Sequence, residues 1–197
     1  MTTIVYLHGF RSSPASVKAT QFRAAVDALP SARRPVLYVP NLQMRPAAAI
    51  ASVAEWLRHD QDPDALAFVG SSLGGFYATH LAERYGARAV LVNPAVHPAR
   101  DLAPYIGVQT NLHTGEAFEV FASDFNDLRA LEVGRITRPE RYWLLVETAD
   151  EVLDFREAVA HYGGAHQYVR GGGDHTFTDF ASQVPAILRF CGVTVAV

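Results

Sequence analysis

The sequence is poor in cysteine, with Cys191 as the single thiol in 197 residues. One cysteine can form neither an internal disulfide nor a CxxC metal or redox site, and this usage is typical of a reducing compartment. The first residues also lack the basic start, apolar core and small-residue cleavage site of a signal peptide. We therefore expect a cytoplasmic protein that holds its fold without disulfides.

Long runs of apolar residues, or of charges of one sign, are also missing. No uninterrupted apolar stretch approaches the roughly 18 residues of a membrane span. The 17 lysine and arginine residues are interspersed with 20 aspartate and glutamate residues, without the basic stripe that nucleic acid or an anionic membrane would require. We therefore expect a soluble globular protein that binds neither nucleic acid nor an anionic membrane surface, and its oligomeric state stays open.

The chain does contain an alternation of short runs rich in valine, leucine and isoleucine with longer amphipathic stretches. This pattern is typical of an α/β fold, a mostly parallel sheet with helices on both faces, and the length fits one domain over residues 1–197. Strands are predicted at about 3–8, 35–39, 65–70, 88–93, 141–147 and 166–170. A first helix is predicted at 16–29, with Val17, Phe22, Val26 and Leu29 as its apolar residues. Further helices are predicted from Pro46, from Gly74 to near Gly86, at about 151–162 and at about 178–191.

The alternation breaks between residues 94 and 139. Proline, glycine and polar residues there interrupt short helical pieces such as 123–132. A loop of this length inside a compact domain is usually functional. Because the segment follows the fourth strand, we predict that it forms a small cap over the carboxyl edge of the sheet.

The segment Gly70-Ser71-Ser72-Leu73-Gly74 directly follows one buried-strand pattern and precedes a helix. A GxSxG elbow turns so sharply from strand to helix that the residues two before and two after the serine must lack bulk. The turn would hold Ser72 at the open edge of the sheet, near the positive end of the helix. Ser71 is the rival nucleophile, although the glycine spacing centres on Ser72. Alone, the motif also fits an ordinary glycine-bearing strand-to-helix loop.

A serine hydroxyl becomes a good nucleophile only when a base removes its proton. Of eight histidines, His175 alone lies in a glycine-rich loop after the last predicted strand, where the alternative is a polar loop residue before a helix. We predict that His175 is the base. The remaining histidines other than His8 fall on predicted helix surfaces or in the cap as solvated residues: His59, His80, His97, His113, His161 and His166.

The base in turn needs a carboxylate that fixes its tautomer. Asp150 is the first carboxylate beyond the turn after the strand at 141–147, and the alternative is that it caps the following helix. Glu151 and Asp154 are the fallback candidates. The predicted chain order, serine then acid then histidine, is the order of the α/β hydrolases.

Acyl transfer also needs hydrogen-bond donors for the oxyanion of the tetrahedral intermediate. We predict the backbone N–H groups of Leu73 and of Phe10, because Phe10 follows His8-Gly9 at the exit of the first strand. The His8 side chain is expected to be structural. Apolar cap residues provide an acyl pocket or, equally well, the core of the cap: Tyr105, Ile106, Leu112, Phe118 and Phe121.

The leading hypothesis is therefore a serine hydrolase of esters or thioesters that works through an acyl-enzyme, with no cofactor. A metal-dependent hydrolase is the weaker alternative, because His80 and Glu83 lie one helical turn apart without an HExxH motif. A non-catalytic binding protein on the same fold remains a third class. Acyl transfer to an acceptor other than water would use the same residues.

Several blocks of the chain resemble the small bacterial esterases of the YqiA type, related to the YcfP-like proteins, within the α/β-hydrolase superfamily. The resemblance runs through nearly the whole chain. Its blocks are residues 6–10 with 12–14 and 18–19, residues 70–78, 93–96, 114–115, 150–154 and 172–177.

Matched residue by residue, the serine, acid and histidine of that family fall on Ser72, Asp150 and His175. The resemblance implies carboxylester hydrolase activity on short or medium acyl groups. One departure is Thr148-Ala149, where a Thr-Gly pair is expected, and an alanine there could shift the loop that carries the acid.

Overall fold

The computed structural model describes residues 1–42, 45–57 and 62–195, and His59 lies outside them. Its main sheet has six parallel strands in the order β2-β1-β3-β4-β7-β8. The predicted sheet is thus confirmed, each strand lying within a residue or two of its expected position. Its strands are β1 (Thr3–Leu7), β2 (Val36–Tyr38), β3 (Leu66–Ser71), β4 (Arg88–Val92), β7 (Tyr142–Glu147) and β8 (His166–Arg170).

The central strand β3 is buried along its whole length. Its residues alternate between two apolar clusters, with Leu66 and Phe68 in the cluster on one face of the sheet and Ala67 and Val69 in that on the other. Because both faces are covered, the strand reads as a continuous apolar run instead of an alternating one.

Helices cover both faces. The first cluster takes its helical residues from α2 (Pro46–Trp56), α3 (Leu73–Tyr85), α5 (Asp124–Leu131) and α6 (Phe155–His161), and the second from α1 (Val17–Asp27) and α7 (Phe180–Phe190). No helix in the described ranges is long and apolar enough to cross a membrane.

Two helix predictions need correction. Val17 was expected on the apolar face of the first helix, but it is 64% exposed, and Ala19 is buried there with Phe22 and Val26. The helix expected from residue 151 begins at Phe155, because the Asp154 carboxylate accepts the Arg156 N–H and caps it.

The segment between β4 and β7 contains a short helix, α4 (Pro98–Asp101), helix α5 and an antiparallel hairpin of β5 (Gly107–Thr110) and β6 (Ala117–Val120). The sequence pattern does not predict the hairpin. The side chain of Asn111 orders its turn by accepting the N–H groups of His113 and Thr114. Asn111 Nδ2 also donates to the Ser12 carbonyl, which ties the hairpin to the loop after β1.

Candidate active site

The turn from β3 into α3 places Ser72 at the carboxyl edge of the sheet. Ser72 has φ 55° and ψ −122°, an uncommon conformation for a residue with a side chain. A Cβ atom on Gly70 would lie 2.1 Å from the Gly74 carbonyl oxygen, and one on Gly74 would lie 2.0 Å from the Leu7 carbonyl oxygen. The two glycines of the motif are therefore required by close backbone approaches, one across the elbow and one between α3 and β1.

The loop after β1 lies directly against this serine. A Cβ atom on Gly9 would be 3.2 Å from Ser72 Cβ, so a larger residue there would crowd the hydroxyl. His8 holds the loop, since its Nε2 accepts the Leu42 N–H at 3.0 Å, and burial lowers the pKa of its imidazole. Leu73 is the first residue of α3, so its N–H has no acceptor within the helix.

Three side chains predicted from the sequence form a hydrogen-bonded line. The Nε2 atom of His175 lies 3.0 Å from the Ser72 hydroxyl oxygen, and its Nδ1 atom lies 2.8 Å from Asp150 Oδ2. Only 2% of the Asp150 side chain is exposed, and its Oδ1 also accepts the N–H groups of Val152 and Leu153 at 2.8 Å. The carboxylate is thereby fixed in position beneath the imidazole.

The fallback carboxylates contact other groups. Glu151 accepts the backbone N–H of His175 at 3.0 Å and so holds the loop, whereas Asp154 caps α6. The Ala149 departure leaves the acid in reach of the imidazole: Ala149 has no positive φ, and its N–H donates to the Gly172 carbonyl at 3.1 Å.

Asn93 is a positioning residue that the sequence reasoning missed. It has a positive φ of 40°, and its Nδ2 donates to the carbonyls of Asp174 and His175 at 3.0 and 3.2 Å. Its Oδ1 accepts the Glu147 N–H at 3.0 Å, so one side chain joins the ends of β4 and β7 to the histidine loop. The only signal in the sequence was the Asn-Pro pair immediately after a predicted strand.

Glu147, the last residue of β7, is the second missed residue and is fully buried. Its carboxylate accepts the Asp174 N–H at 2.9 Å, the Thr178 N–H at 3.2 Å and Arg170 Nη1 at 2.6 Å. Burial acts to raise the pKa of this carboxyl, but the hydrogen bonds outweigh it and hold the pKa below its usual value. A Cβ atom on Gly173 would lie 1.9 Å from Glu147 Oε2, so this position of the histidine loop has no room for a larger residue than glycine.

Replacing Glu147 with glutamine should lower the free energy of unfolding by about 2–4 kcal/mol at pH 7, because buried donors lose a charged acceptor. The folded-state pKa is depressed, so the contribution is complete above the unfolded pKa of roughly 4.3 and is lost as pH falls through the folded value. Urea unfolding of the wild type and of Glu147→Gln, at a series of pH values from 7 downward, measures the free energy of unfolding of each. The difference between these two free energies should stay constant to about pH 5 and then shrink.

The matched control for this experiment is Glu140→Gln, at a glutamate whose side chain is 66% exposed. It should leave stability within roughly 0.5 kcal/mol of the wild type. Equal effects of the two substitutions would contradict the role given to Glu147.

Two cavities share the loop after β1, residues 8–12, which lies against Ser72. The apolar cavity, of about 360 Å³, is lined mainly by apolar residues such as Phe10, Leu42, Leu73, Tyr77, Phe118 and Leu128, and Arg11, Arg45 and Asp124 also contribute to its wall. The second cavity, of about 410 Å³, is here called the polar groove after the hydroxyl and basic side chains in its lining, which includes Ser72, His175, Arg11, Lys18, Leu112 and His113 together with apolar residues.

The predicted cap residues divide between several environments. Phe118 lines the apolar cavity and Leu112 the polar groove. Tyr105 packs its ring edge-on against Phe10, with the centroids 5.5 Å apart, and so supports the cavity wall. Ile106 and Phe121 are 55% and 44% exposed and line neither of the two cavities.

Residues of α3 and α5, such as Tyr77 and Leu128, form much of the cavity wall. Their helical spacing predicts an inward-facing side chain, but it does not distinguish a cavity wall from a filled core. The sequence reasoning therefore missed them.

His80 and Glu83, the two residues on which the metal-dependent alternative rests, contact different groups. His80 Nδ1 lies 3.0 Å from the Leu131 carbonyl oxygen, and Glu83 accepts the Tyr142 hydroxyl at 2.6 Å. Within the described part of the chain, no group of three or more histidine, cysteine, aspartate or glutamate residues is arranged to hold a metal ion.

The parallel sheet, the helices on both faces and the serine elbow after the third strand of the main sheet define a protein of the α/β-hydrolase fold. Mouse alpha/beta hydrolase domain-containing protein 10 is similar, with a TM-score of 0.69 at 15% identity over 96% of this chain and 89% of that chain. The esterase domain of a Rhodothermus marinus protein gives a TM-score of 0.67 at 15% identity over 94% and 84% of the two chains. Est1E from Butyrivibrio proteoclasticus gives a TM-score of 0.65 at 13% identity over 96% of this chain and 86% of that chain.

At sequence identities this low, the structural similarity shows that these proteins share a fold and shows no more than that. The family follows from a separate match: the model of "Uncharacterised protein family (UPF0227)" covers residues 3–192. The chain belongs to this family, the YqiA family, and the resemblance drawn from its motifs is confirmed.

Proposed function

We propose that the protein is a serine hydrolase of carboxylic esters or thioesters, with Ser72 as nucleophile, His175 as general base and Asp150 as the orienting acid. The observation that carries the proposal is the continuous line of hydrogen bonds from the Ser72 hydroxyl through both ring nitrogens of His175 to Asp150. Esterases among the proteins of similar fold support the same class of reaction.

In the neutral imidazole, a proton on Nδ1 donates to Asp150, so Nε2 is free to accept the Ser72 proton. Ser72 Oγ then attacks the carbonyl carbon of the substrate as its proton passes to His175. The N–H groups of Leu73 and Phe10 are the proposed donors to the oxyanion of the tetrahedral intermediate.

Collapse of this intermediate breaks the bond to the alcohol or thiol, whose oxygen or sulfur takes the proton from Nε2 of His175. The acyl group stays on Ser72. A water molecule then gives a proton to Nε2 of His175 as its oxygen attacks the acyl carbon. The bond between the acyl carbon and Ser72 Oγ breaks, His175 returns the proton to Oγ, and the acid is released.

The apolar cavity is the proposed acyl site because it borders the residues assigned to the oxyanion, Phe10 and Leu73. Its volume of about 360 Å³ lies at the small end of the range for ligand pockets. We therefore expect a preference for acyl groups of about four to eight carbons.

The test uses a series of p-nitrophenyl esters and matching thioesters that differ only in acyl length. We expect turnover to be highest for short and medium acyl groups, with a burst of about one equivalent of nitrophenolate when deacylation is slow. Dialysis against EDTA should leave the rate unchanged, since side chains perform each step. Failure to hydrolyse any member of the series would overturn the proposed function.

A further inference from the structure

We propose that the polar groove is a leaving-group site that selects esters and thioesters whose alcohol or thiol carries an anionic group, held by Lys18 and Arg11. The inference rests on the proposed function and extends it to the substrate class. A phosphate and a carboxylate present the same chemistry to these two residues, and the experiment below separates them.

The direction of the substrate follows from proton transfer. His175 must deliver its proton to the departing oxygen or sulfur, so that side of the ester lies beside His175. The polar groove is lined by His175 and Ser72, whereas the lining of the apolar cavity includes neither. With the acyl group in the apolar cavity, the alcohol or thiol points into the polar groove.

The charge of the polar groove is opposite in sign to that of the whole protein. The chain has a net charge of −3, with 20 acidic residues. The described residues that line the groove include Arg11, Lys18 and His113 but no aspartate or glutamate. Arg11 lies between the two cavities and also lines the apolar cavity, where Arg45 is paired with Asp124 at 2.6 Å. Over the described part of the chain, the residues that line the polar groove therefore carry positive charge and no negative charge.

Lys18 is the only lysine in the sequence and lies in the first turn of α1, at the groove wall. Its Nζ donates to the carbonyl of Thr176, the residue after the proposed base, at 2.6 Å. An ammonium group has three N–H donors, and among the described residues this carbonyl is the one acceptor that lies within bonding distance. Two donors remain for a ligand.

The three carboxylates whose charges act on Lys18 already bind other groups. Asp150 binds His175, Glu147 binds Arg170, and Asp174 accepts the Thr176 N–H. Burial lowers the pKa of the Lys18 ammonium to about 8, against the opposing influence of these three carboxylates. Lys18 is therefore still mainly protonated at pH 7.

Arg11 reaches the polar groove from the side of the cap hairpin. It has a positive φ of 55°, and its Nε donates to the Thr110 carbonyl at 3.0 Å. Its own carbonyl accepts the Leu112 N–H at 2.8 Å. These bonds fix the guanidinium by one nitrogen and leave its terminal N–H groups for an anionic group, which they can bind with two parallel hydrogen bonds.

The experiment compares two pairs of butyryl esters that differ in the charge of the alcohol: butyryl glycerol phosphate against butyryl glycerol, and 4-(butyryloxy)benzoate against its methyl ester. Wild-type kcat/KM should be at least about tenfold higher for the anionic member of one or both pairs. A preference confined to the first pair identifies phosphate as the group selected, and one confined to the second identifies carboxylate.

Lys18→Met and Arg11→Gln should each reduce this preference by about tenfold, measured as the ratio of kcat/KM between the anionic and the neutral ester of a pair, so that any general loss of activity cancels. Arg33→Gln, at an exposed arginine, is the matched control and should keep the full preference. A wild-type ratio near one, or a ratio unchanged in both groove variants, would overturn the inference while leaving ester hydrolysis intact. If the wild type hydrolyses neither the neutral nor the anionic esters, the proposed function itself is rejected.

Discussion

Replacement of Ser72 by alanine should lower kcat for ester hydrolysis by about 10⁴–10⁶-fold, because the acyl-enzyme can no longer form. The residual rate should come from binding and oxyanion stabilisation alone. The protein should stay folded, since the Ser72 side chain makes one hydrogen bond, to His175, and the elbow is held by backbone contacts of Gly70 and Gly74.

Ser71 provides a matched control in the adjacent position. It is the last residue of β3 and is buried, and the His175 imidazole bonds to its neighbour. Ser71→Ala should therefore retain activity within a few-fold.

A fluorophosphonate probe followed by peptide mass analysis reports the nucleophile directly. The wild type and Ser71→Ala should be labelled at Ser72, and Ser72→Ala should remain unlabelled. Labelling that persists in Ser72→Ala, or that disappears in Ser71→Ala, would show that the nucleophile has been assigned to the wrong residue.

The parts of the fold that sequence predicts well are those set by local repetition. Strand β3 has a continuous apolar run because it is covered on both faces, and the glycines around Ser72 mark the turn into α3. The nearness of Asp150 and His175 follows from the same logic, since the carboxyl ends of parallel strands share one edge. The loop after β7 carries three carboxylates, and only the contacts show that Asp150 is the one beside the imidazole.

The hairpin in the cap is different because its signal is short and mixed. Its strands β5 and β6 have four residues each and are largely exposed, so their alternation is too brief to separate from loop sequence. Its position depends on contacts with distant chain segments, such as the bond from Asn111 to Ser12.

Buried polar support is also hidden from the sequence. Glu147 ends an apolar strand and reads as an exposed exit residue, yet its partners Arg170 and Thr178 lie more than twenty residues further along the chain. Asn93 likewise joins two loops that become neighbours only when β4 and β7 pair. Such residues are recognised from three-dimensional contacts.

Replacement of Asp150 by asparagine should lower kcat by about 10⁴-fold with the fold preserved. The amide oxygen can still accept the N–H groups of Val152 and Leu153, as the carboxylate oxygen Oδ1 does now. The amide nitrogen would then face Nδ1 of His175 and donate to it. The imidazole would carry its proton on Nε2, directed at Ser72, and could not accept the serine proton.

Glu151→Gln is the matched control, because it removes a neighbouring charge but keeps an amide oxygen that can accept the His175 N–H. It should retain activity within a few-fold. Single-turnover release of nitrophenolate measures acylation in each variant, and thermal unfolding verifies that both remain folded. Near-normal acylation by Asp150→Asn, together with an inactive Glu151→Gln, would move the orienting role to Glu151. If Asp150→Asn is acylated slowly and is also labelled slowly by the fluorophosphonate, with Ser72 still the modified residue, the defect lies in proton transfer from Ser72 to His175.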